Sequence, residues 1–343
     1  MTNLNVSGLD LAKHIFHVVH LDERGKMTGK KKLTRTKLLE HFACRERRLI
    51  AMEACASAHY WARELIALGH EVKMIPPLYV KPYVRGNKND YNDALGIAEA
   101  ASNPQMRTVK VKTVDEQAIQ SLHRLRRQAL KMRTGLCNQL RGLLAEYGVI
   151  APRGVHTLRR RLPEILEEAD NGLCDLFRES LSEGYAQLLE LDHHIDRYTE
   201  KVNRHSASHE ACCRLQSIPG FGPIASSVFL SVVGDGSGFR RGRDVSASIG
   251  LVPRQHSSGG KDRLLGISKR GNGYLRSVLV HGARSVVSRI GEKQDALSRW
   301  IRRIKSTRGF NKAVVALANK MARMGWAILV TNGVYEPKRH ITA

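Results

Sequence analysis

L-N-V-S-G-L-D-L-A-K-H-I-F-H-V-V-H-L-D-E-R-G, residues 4–25, is the stretch that decides the fold. Residues 4–10 read as a strand with Leu4, Val6 and Leu9 apolar, and Ile15 to Leu21 reads as a second. Asp22 to Gly25 is a turn that feeds a third, basic strand ending near Thr34. A helix through Leu38, Leu39 and Phe42 follows, then a strand from Leu49 to Met52. Ala58 to Leu68 is helical and stops at Gly69, and Val72 to Ile75 is a strand ahead of Pro76-Pro77. Another helix starts near Asp90 and carries Ala94, Leu95, Ile97 and Ala98. A meander of three strands followed by alternating helix and strand is the order of an RNase H-like α/β domain. A doubly wound Rossmann order lacks that opening meander.

Four carboxylates punctuate this pattern. Asp10 ends the first apolar run, Glu53 ends L-I-A-M-E, and Asp90 and Asp93 sit in N-D-Y-N-D-A at the helix start. Acids at strand C-termini and at a helix start can converge on one edge of the sheet. Hard divalent cations want oxygen ligands and would hold a phosphate there. Asp90 and Asp93 are three apart, so both project from one helix face. Either aspartate alone is equally well read as a cap that favours the helix dipole. The four together in this strand order point to metal, and Glu53 at a strand end is hard to read as a cap.

The 343 residues leave room for more than one domain, and 56 Lys and Arg against 32 Asp and Glu give a formal net charge of +24. That excess is an electrostatic footprint for a polyanion, with nucleic acid ahead of an anionic membrane surface because the bases are spread along the whole chain. No run of about 18 apolar residues is found, and the N-terminus lacks the features of a signal peptide. The expected location is cytoplasmic, with no membrane partner. Six cysteines, Cys44, Cys55, Cys137, Cys174, Cys212 and Cys213, show no C-x-x-C pair and read as buried, reduced thiols.

From Val114 the periodicity is helical. Ile119, Leu122, Leu125, Ala129, Met132, Leu136, Leu140, Leu143 and Leu144 form an apolar stripe, and Arg124, Arg126, Arg127, Lys131, Arg133 and Arg141 interleave with it. The bases read as a solvated face or as a face that tracks phosphates. Leu181, Leu188, Leu191, Ile195, Tyr198 and Val202 recur at roughly heptad spacing, which predicts a short coiled coil that pairs subunits into a dimer or tetramer. S-I-P-G-F-G-P-I-A (Ser217 to Ala225) is a Gly/Pro turn opening an apolar helix, of the helix-hairpin-helix kind that offers backbone N–H groups to phosphate or needs glycine for geometry alone. Gly250 to Asn272 is dense in Gly, Ser and base, with Arg254, His256, Lys261, Lys269 and Arg270 around the loop Ser257-Ser258-Gly259-Gly260. A serine so placed can be a nucleophile or part of a flexible turn, and His256 a base or a phosphate donor. Two helices close the chain, Tyr274 to Ile290 and Gly309 to about Val330.

Taken together, G-L-D-L-A-K (Gly8 to Lys13), M-E-A-C (Met52 to Cys55), K-P-Y-V-R-G-N-K-N-D-Y-N-D-A (Lys81 to Ala94), I-P-G-F-G-P (Ile218 to Pro223) and G-L-V-P-R-Q-H-S-S-G-G-K (Gly250 to Lys261) resemble transposases of the insertion sequence 110 group, in its insertion sequence 1111 branch. The resemblance implies a RuvC-like domain over 1–112 whose D-E-D-D acids, here Asp10, Glu53, Asp90 and Asp93, bind Mg²⁺. It implies a mainly helical transposase domain over 206–343, and the periodicity assigns 113–205 to a basic helix and coiled-coil segment. In that domain a nucleophilic serine precedes a glycine: Ser258 matches, with Ser257 as the fallback. Tyr91 and Asn92 replace the small pair that relatives carry between the last two acids, but the acid spacing is intact. The implied activity is recombination of element ends with target DNA through a phosphoserine link. An element-encoded guide (bridge) RNA would select both sites, and Arg124, Arg127, Lys131, Arg254, Lys261, Lys269 and Arg270 would hold nucleic acid. Two other readings stay open: a RuvC-type nuclease that uses water, and a non-catalytic nucleic-acid-binding protein.

Overall fold

The opening hairpin forms where the sequence predicts it. β1 (Val6–Leu11) runs antiparallel to β2 (Ile15–Leu21), which runs antiparallel to β3 (Met27–Thr34). After α1 (Arg35–Ala43), β4 (Leu49–Glu53) joins the free side of β1 in parallel; α2 (Ala58–Ala67) then leads to β5 (Glu71–Ile75), parallel to β4. The sheet order is β3-β2-β1-β4-β5. The short α3 (Pro77–Val80) and a 3-10 turn at Lys81–Tyr83 lead into α4 (Asp90–Ser102). The computed structural model describes residues 5–87, 89–257, 259–261 and 263–337, and the chain divides into two units, Met1–Asp115 and Glu116–Ala343.

Strand alternation decides which face each residue serves. Leu9, Phe16, Val18, Ile50, Met52 and Met74 pack with Leu38, Phe42, Trp61 and Leu65 of α1 and α2 on one face. Val6, Val19, Leu21, Leu49, Ala51 and Ile75 pack with Ala94, Ile97 and Ala98 of α4 on the other. Gly8 sets the spacing there: a Cβ on it would lie 1.9 Å from the Ala94 carbonyl oxygen and 2.9 Å from the Ala98 Cβ. Glycine on the strand and alanine on the helix let the two backbones approach closely, which draws the N-terminus of α4 over the C-terminal end of β1.

The second unit is mainly helical. α5 (Val114–Glu146) leads through α6 (Val155–Glu167) to α7 (Asp175–Ser208). Arg126 bonds Thr199, Arg133 pairs with Asp192, and a Cβ on Gly184 would lie 2.8 Å from Leu140. The contacts on α7 move toward its N-terminus as those on α5 move toward its C-terminus, so the long helices lie antiparallel. The Leu181 to Val202 stripe is therefore not an unpartnered face. Leu181 and Leu188 are buried with Cys137, Leu140, Leu144, Leu158 and Leu162, and Leu191, Ile195 and Val202 are also buried within this chain. The coiled-coil-like spacing is real, but an intramolecular helix satisfies it, and the stripe no longer argues for pairing of subunits.

Beyond it come α8 (Glu210–Gln216), α9 (Pro223–Val233), α10 (Gly242–Ser248), the hairpin β6 (Pro253–Gln255) and β7 (Leu264–Ile267), then α11 (Gly273–Ser288), α12 (Ala296–Arg308) and α13 (Phe310–Thr331). α12 has no counterpart among the elements expected from sequence. Asp295 starts it, accepting from the Ser298 N–H at 3.0 Å, a signal legible in D-A-L-S. No membrane-length run is expected from sequence, yet α13 holds an 18-residue window of mean hydropathy 1.4, enough by length and composition to cross a bilayer. Here Val314, Leu317, Ala318, Met321 and Ile328 of α13 sit in the core of the unit. Of the cysteines, only Cys137 and Cys212 are buried; the other four are exposed, and all six are free.

Two outcomes follow from this packing. Gly8→Ala should lower stability by at least about 1–3 kcal/mol, the usual cost of overpacking, read as a fall in Tm; an unchanged Tm would show that α4 can retreat without loss. Leu188→Asp should destabilise the subunit itself by several kcal/mol, because a carboxylate replaces a fully buried side chain. A variant that kept wild-type Tm and lost only its oligomer would restore the intersubunit reading.

Candidate functional site

Alternation along β1 puts Asp10 on the same sheet face as Val6 and Gly8, and alternation along β4 puts Glu53 with Leu49 and Ala51. That is the α4 face. Capping of α4 is done by Asn89, whose side chain accepts the Tyr91 N–H at 2.9 Å, so neither Asp90 nor Asp93 is used as the cap. The acids then act on one another. Burial, with the charges of Asp93 and Asp90 close by, raises the Asp10 carboxyl from 3.8 to about 6, and His17 opposes the rise. Glu53 is also pushed up, by burial first and then by Asp10 and Asp93. Carboxylates gathered this way repel, and a divalent cation is the group that would relieve them.

A histidine not expected from sequence stands beside these acids. His17 lies directly across from Asp10 in the β1–β2 register, and its Nδ1 is 3.4 Å from Asp90 Oδ2. The residue is 8% exposed, and Nδ1 is buried with no hydrogen-bond partner. Ligand atoms of Asp10, His17 and Asp90 all fall within 4.8 Å of one another. The ring meets Tyr91 edge-on at 4.8 Å, and Lys30 lies over the Tyr91 ring. Strand register was the signal that could have found it, since a tight hairpin between β1 and β2 fixes the residue opposite Asp10.

In the second unit the β6–β7 hairpin carries the serine loop. Close backbone approaches anchor its base: a Cβ on Gly250 would meet the Arg270 backbone at 2.5 Å, and one on Gly271 the Ser248 carbonyl oxygen at 1.7 Å. Asn272 caps α11 just beyond, accepting the Tyr274 and Leu275 N–H groups. At the tip, Gln255 donates to the Ser257 hydroxyl at 3.0 Å, the His256 N–H donates to the Arg263 carbonyl oxygen, and Gly259 and Gly260 have φ of 57° and 75°. Only glycine takes up such angles freely, so the tip turns sharply after the serines. Ser258 itself lies outside the described residues. Arg254, His256, Lys261, Lys269 and Arg270 are exposed around the loop.

On α5 the bases sort into two groups. Arg126, Arg133 and Arg141 are held internally, by Thr199, by Asp192, and by the Pro152 and Gly154 carbonyl oxygens. Arg124, Arg127 and Lys131 are exposed, with Arg127 over the Tyr274 ring. The I-P-G-F-G-P turn joins α8 to α9, and its glycine serves packing: a Cβ on Gly220 would lie 3.0 Å from the Gly282 carbonyl oxygen and 2.9 Å from Met321. α12 adds exposed Arg299, Arg303, Lys305 and Arg308, and no acid occurs from Ala296 to Tyr335.

The raised Asp10 carboxyl has a stability consequence. A carboxyl with folded pKa about 6 and ordinary value 3.8 contributes stability at acid pH that is lost as pH rises through 6. In EDTA, Asp10→Asn should therefore have a higher Tm than wild type near pH 8. The gap should shrink as pH falls through about 6 and close near pH 4. A gap that is constant with pH, or of opposite sign, would show that burial and the neighbouring acids do not raise the Asp10 carboxyl.

Two family models match the chain. One, described as the transposase of the IS116/IS110/IS902 family, matches residues 212–299, and the DEDD transposase model of IS110 elements matches residues 7–149. A probable family 20 transposase of Pseudomonas aeruginosa is 45% identical over 98% of this chain and 99% of its own length. The transposase for insertion sequence element IS1111A of Coxiella burnetii is 42% identical over 98% and 92%, and that for IS1328 of Yersinia enterocolitica 38% over 98% and 99%. With its acidic sheet edge and its hairpin loop each inside a matched segment, and with alignment to these relatives over nearly its whole length, the chain belongs to the IS116/IS110/IS902 family of insertion-sequence transposases, enzymes that act on DNA.

Proposed function

We propose that the protein recombines DNA by a serine mechanism assisted by Mg²⁺ at Asp10, Glu53, Asp90 and Asp93. The observation that carries this reading is the gathering of ligand atoms at the α4 end of the sheet, where those of Asp10 and Asp90 lie within 4.8 Å of each other and Asp93 is close enough to help raise both Asp10 and Glu53. The β3-β2-β1-β4-β5 order supports a RuvC-like assignment for 1–112, and we assign 113–205 as a basic helical scaffold and 206–343 as the transposase domain. When bound, the metal would supply charge to orient and stabilise a scissile phosphate.

The chain's own residues do the rest in this reading. The Ser258 hydroxyl loses its proton and its oxygen attacks the phosphorus, and one strand oxygen leaves as a hydroxyl that takes up a proton. The new serine–phosphate bond replaces the broken phosphodiester, so attack by another strand's hydroxyl rejoins DNA and frees the serine without ATP. Arg254 and Lys261 balance charge on the phosphate, and Gly259 and Gly260 let backbone approach it. Arg124, Arg127, Lys131, Lys269 and Arg270 track phosphates of DNA or of a guide RNA. A protein rich in backbone-binding charge, without an evident base-reading module, suits selection of sites by RNA pairing. A dimer or tetramer of the chain would act on the paired ends.

Ser258→Ala should bind nucleic acid normally yet form no covalent protein–DNA adduct and no recombinant, whereas Ser257→Ala should be far milder. The reverse ranking would move the nucleophile by one residue, and full activity in both would leave a nuclease that uses water. Asp10→Ala, Glu53→Ala, Asp90→Ala and Asp93→Ala should each abolish strand exchange with binding retained. Full activity of wild type in EDTA would exclude the metal role.

A further inference from the structure

We propose that His17 gives this centre a nitrogen ligand, so that the site prefers Mn²⁺ to Mg²⁺ more strongly than its carboxylates alone would. The proposal rests on the reading of Asp10, Glu53, Asp90 and Asp93 as metal ligands. A cluster of acids would carry little by itself; the buried imidazole beside them is the independent observation. Its Nδ1 is shielded from water, makes no hydrogen bond and stands 3.4 Å from Asp90 Oδ2. A buried ring nitrogen whose carboxylate neighbour stands too far for a formed hydrogen bond calls for a closer partner. Metal coordination through the Nδ1 lone pair supplies one. The register delivers the ring to the right place, because His17 is the direct cross-strand neighbour of Asp10, and donor atoms from His17, Asp10 and Asp90 fit within 4.8 Å.

Ligand chemistry then sets the preference. Mg²⁺ is hard, dehydrates reluctantly and takes oxygen almost exclusively, so an imidazole adds little to its binding. Imidazole binds first-row transition ions well, and Mn²⁺ is the member of that series that also accepts carboxylate and water. The site is thus a mixed set, oxygen-rich with one nitrogen. Tyr91 packs edge-on against the ring at 4.8 Å, with Nδ1 on the side of Asp90.

The test uses the full-length protein and Mn²⁺ or Mg²⁺ as the probe. Pulsed electron paramagnetic resonance of the Mn²⁺-loaded wild type should show ¹⁴N coupling from a directly bound imidazole, a measurement that needs no variant. His17→Gln, checked by circular dichroism, should lose that coupling and bind Mn²⁺ at least about tenfold more weakly, with Mg²⁺ affinity changed by less than about twofold. If Mn²⁺ binds but no nitrogen coupling is seen, or if both metals weaken equally, His17 only positions Asp90 and the proposal is overturned. If wild type binds no Mn²⁺, or Asp10→Asn with Glu53→Gln binds it as well as wild type, the underlying metal reading is overturned instead.

Discussion

The contact between Gly8 and α4 is the constraint on which the first unit depends. A strand and a helix ordinarily stand apart by the length of their side chains, but Gly8 has none and Ala94 and Ala98 have very short ones. The helix therefore sinks onto β1, and its first turn arrives beside the C-terminal ends of β1 and β4. That single approach converts acids distant in sequence into neighbours. It also explains the raised Asp10 and Glu53 carboxyls, since burial and repulsion both follow from it. At the other end of β1 the buried polar groups bond one another, with Arg48 Nε left unpartnered. Arg48 donates to Ser7, Ser7 meets His20, His20 meets His41, and Arg45 donates to His41. Burial, reinforced by the surrounding arginines, lowers His20 to about 3 and His41 to about 4. The contrast is informative: one end of the strand is closed by hydrogen bonds, while the other retains charges that oppose one another.

In the second unit the organising feature is the antiparallel pairing of α5 with α7. Asp192 is buried and receives Arg133 from α5 and Arg159 from α6, at 2.8 and 3.0 Å, so one carboxylate ties three helices. A buried pair of this kind adds little net stability over apolar packing, but removing one partner strands a charge, which fixes the register of the helices. Asp192 holds Arg133, while Thr199 holds Arg126 and the Pro152 and Gly154 carbonyl oxygens hold Arg141; Arg124, Arg127 and Lys131 stay exposed. Composition alone counts all six as one basic face. The surrounding contacts separate the bases that build the protein from those that remain available to a polyanion.

Much of this protein was determined by local sequence. The strands of the first unit, the helix at Asp90 and the spacing of its acids followed from alternation, turn residues and helical period, all of which operate over a few residues. The heptad spacing of α7 was equally legible, but what it packs on was not: period specifies that a face must be buried and is silent about whether the partner is another subunit or a helix of the same chain. His17 was legible only in part: the tight β1–β2 hairpin sets it opposite Asp10, but the descent of α4 that brings Asp90 to its Nδ1 is not written in any local pattern. Sequence thus decided which segments fold and which chemical groups they carry, because those depend on neighbours along the chain. Tertiary structure alone decided which groups meet, because burial, repulsion and close backbone approach act through space between residues far apart in sequence.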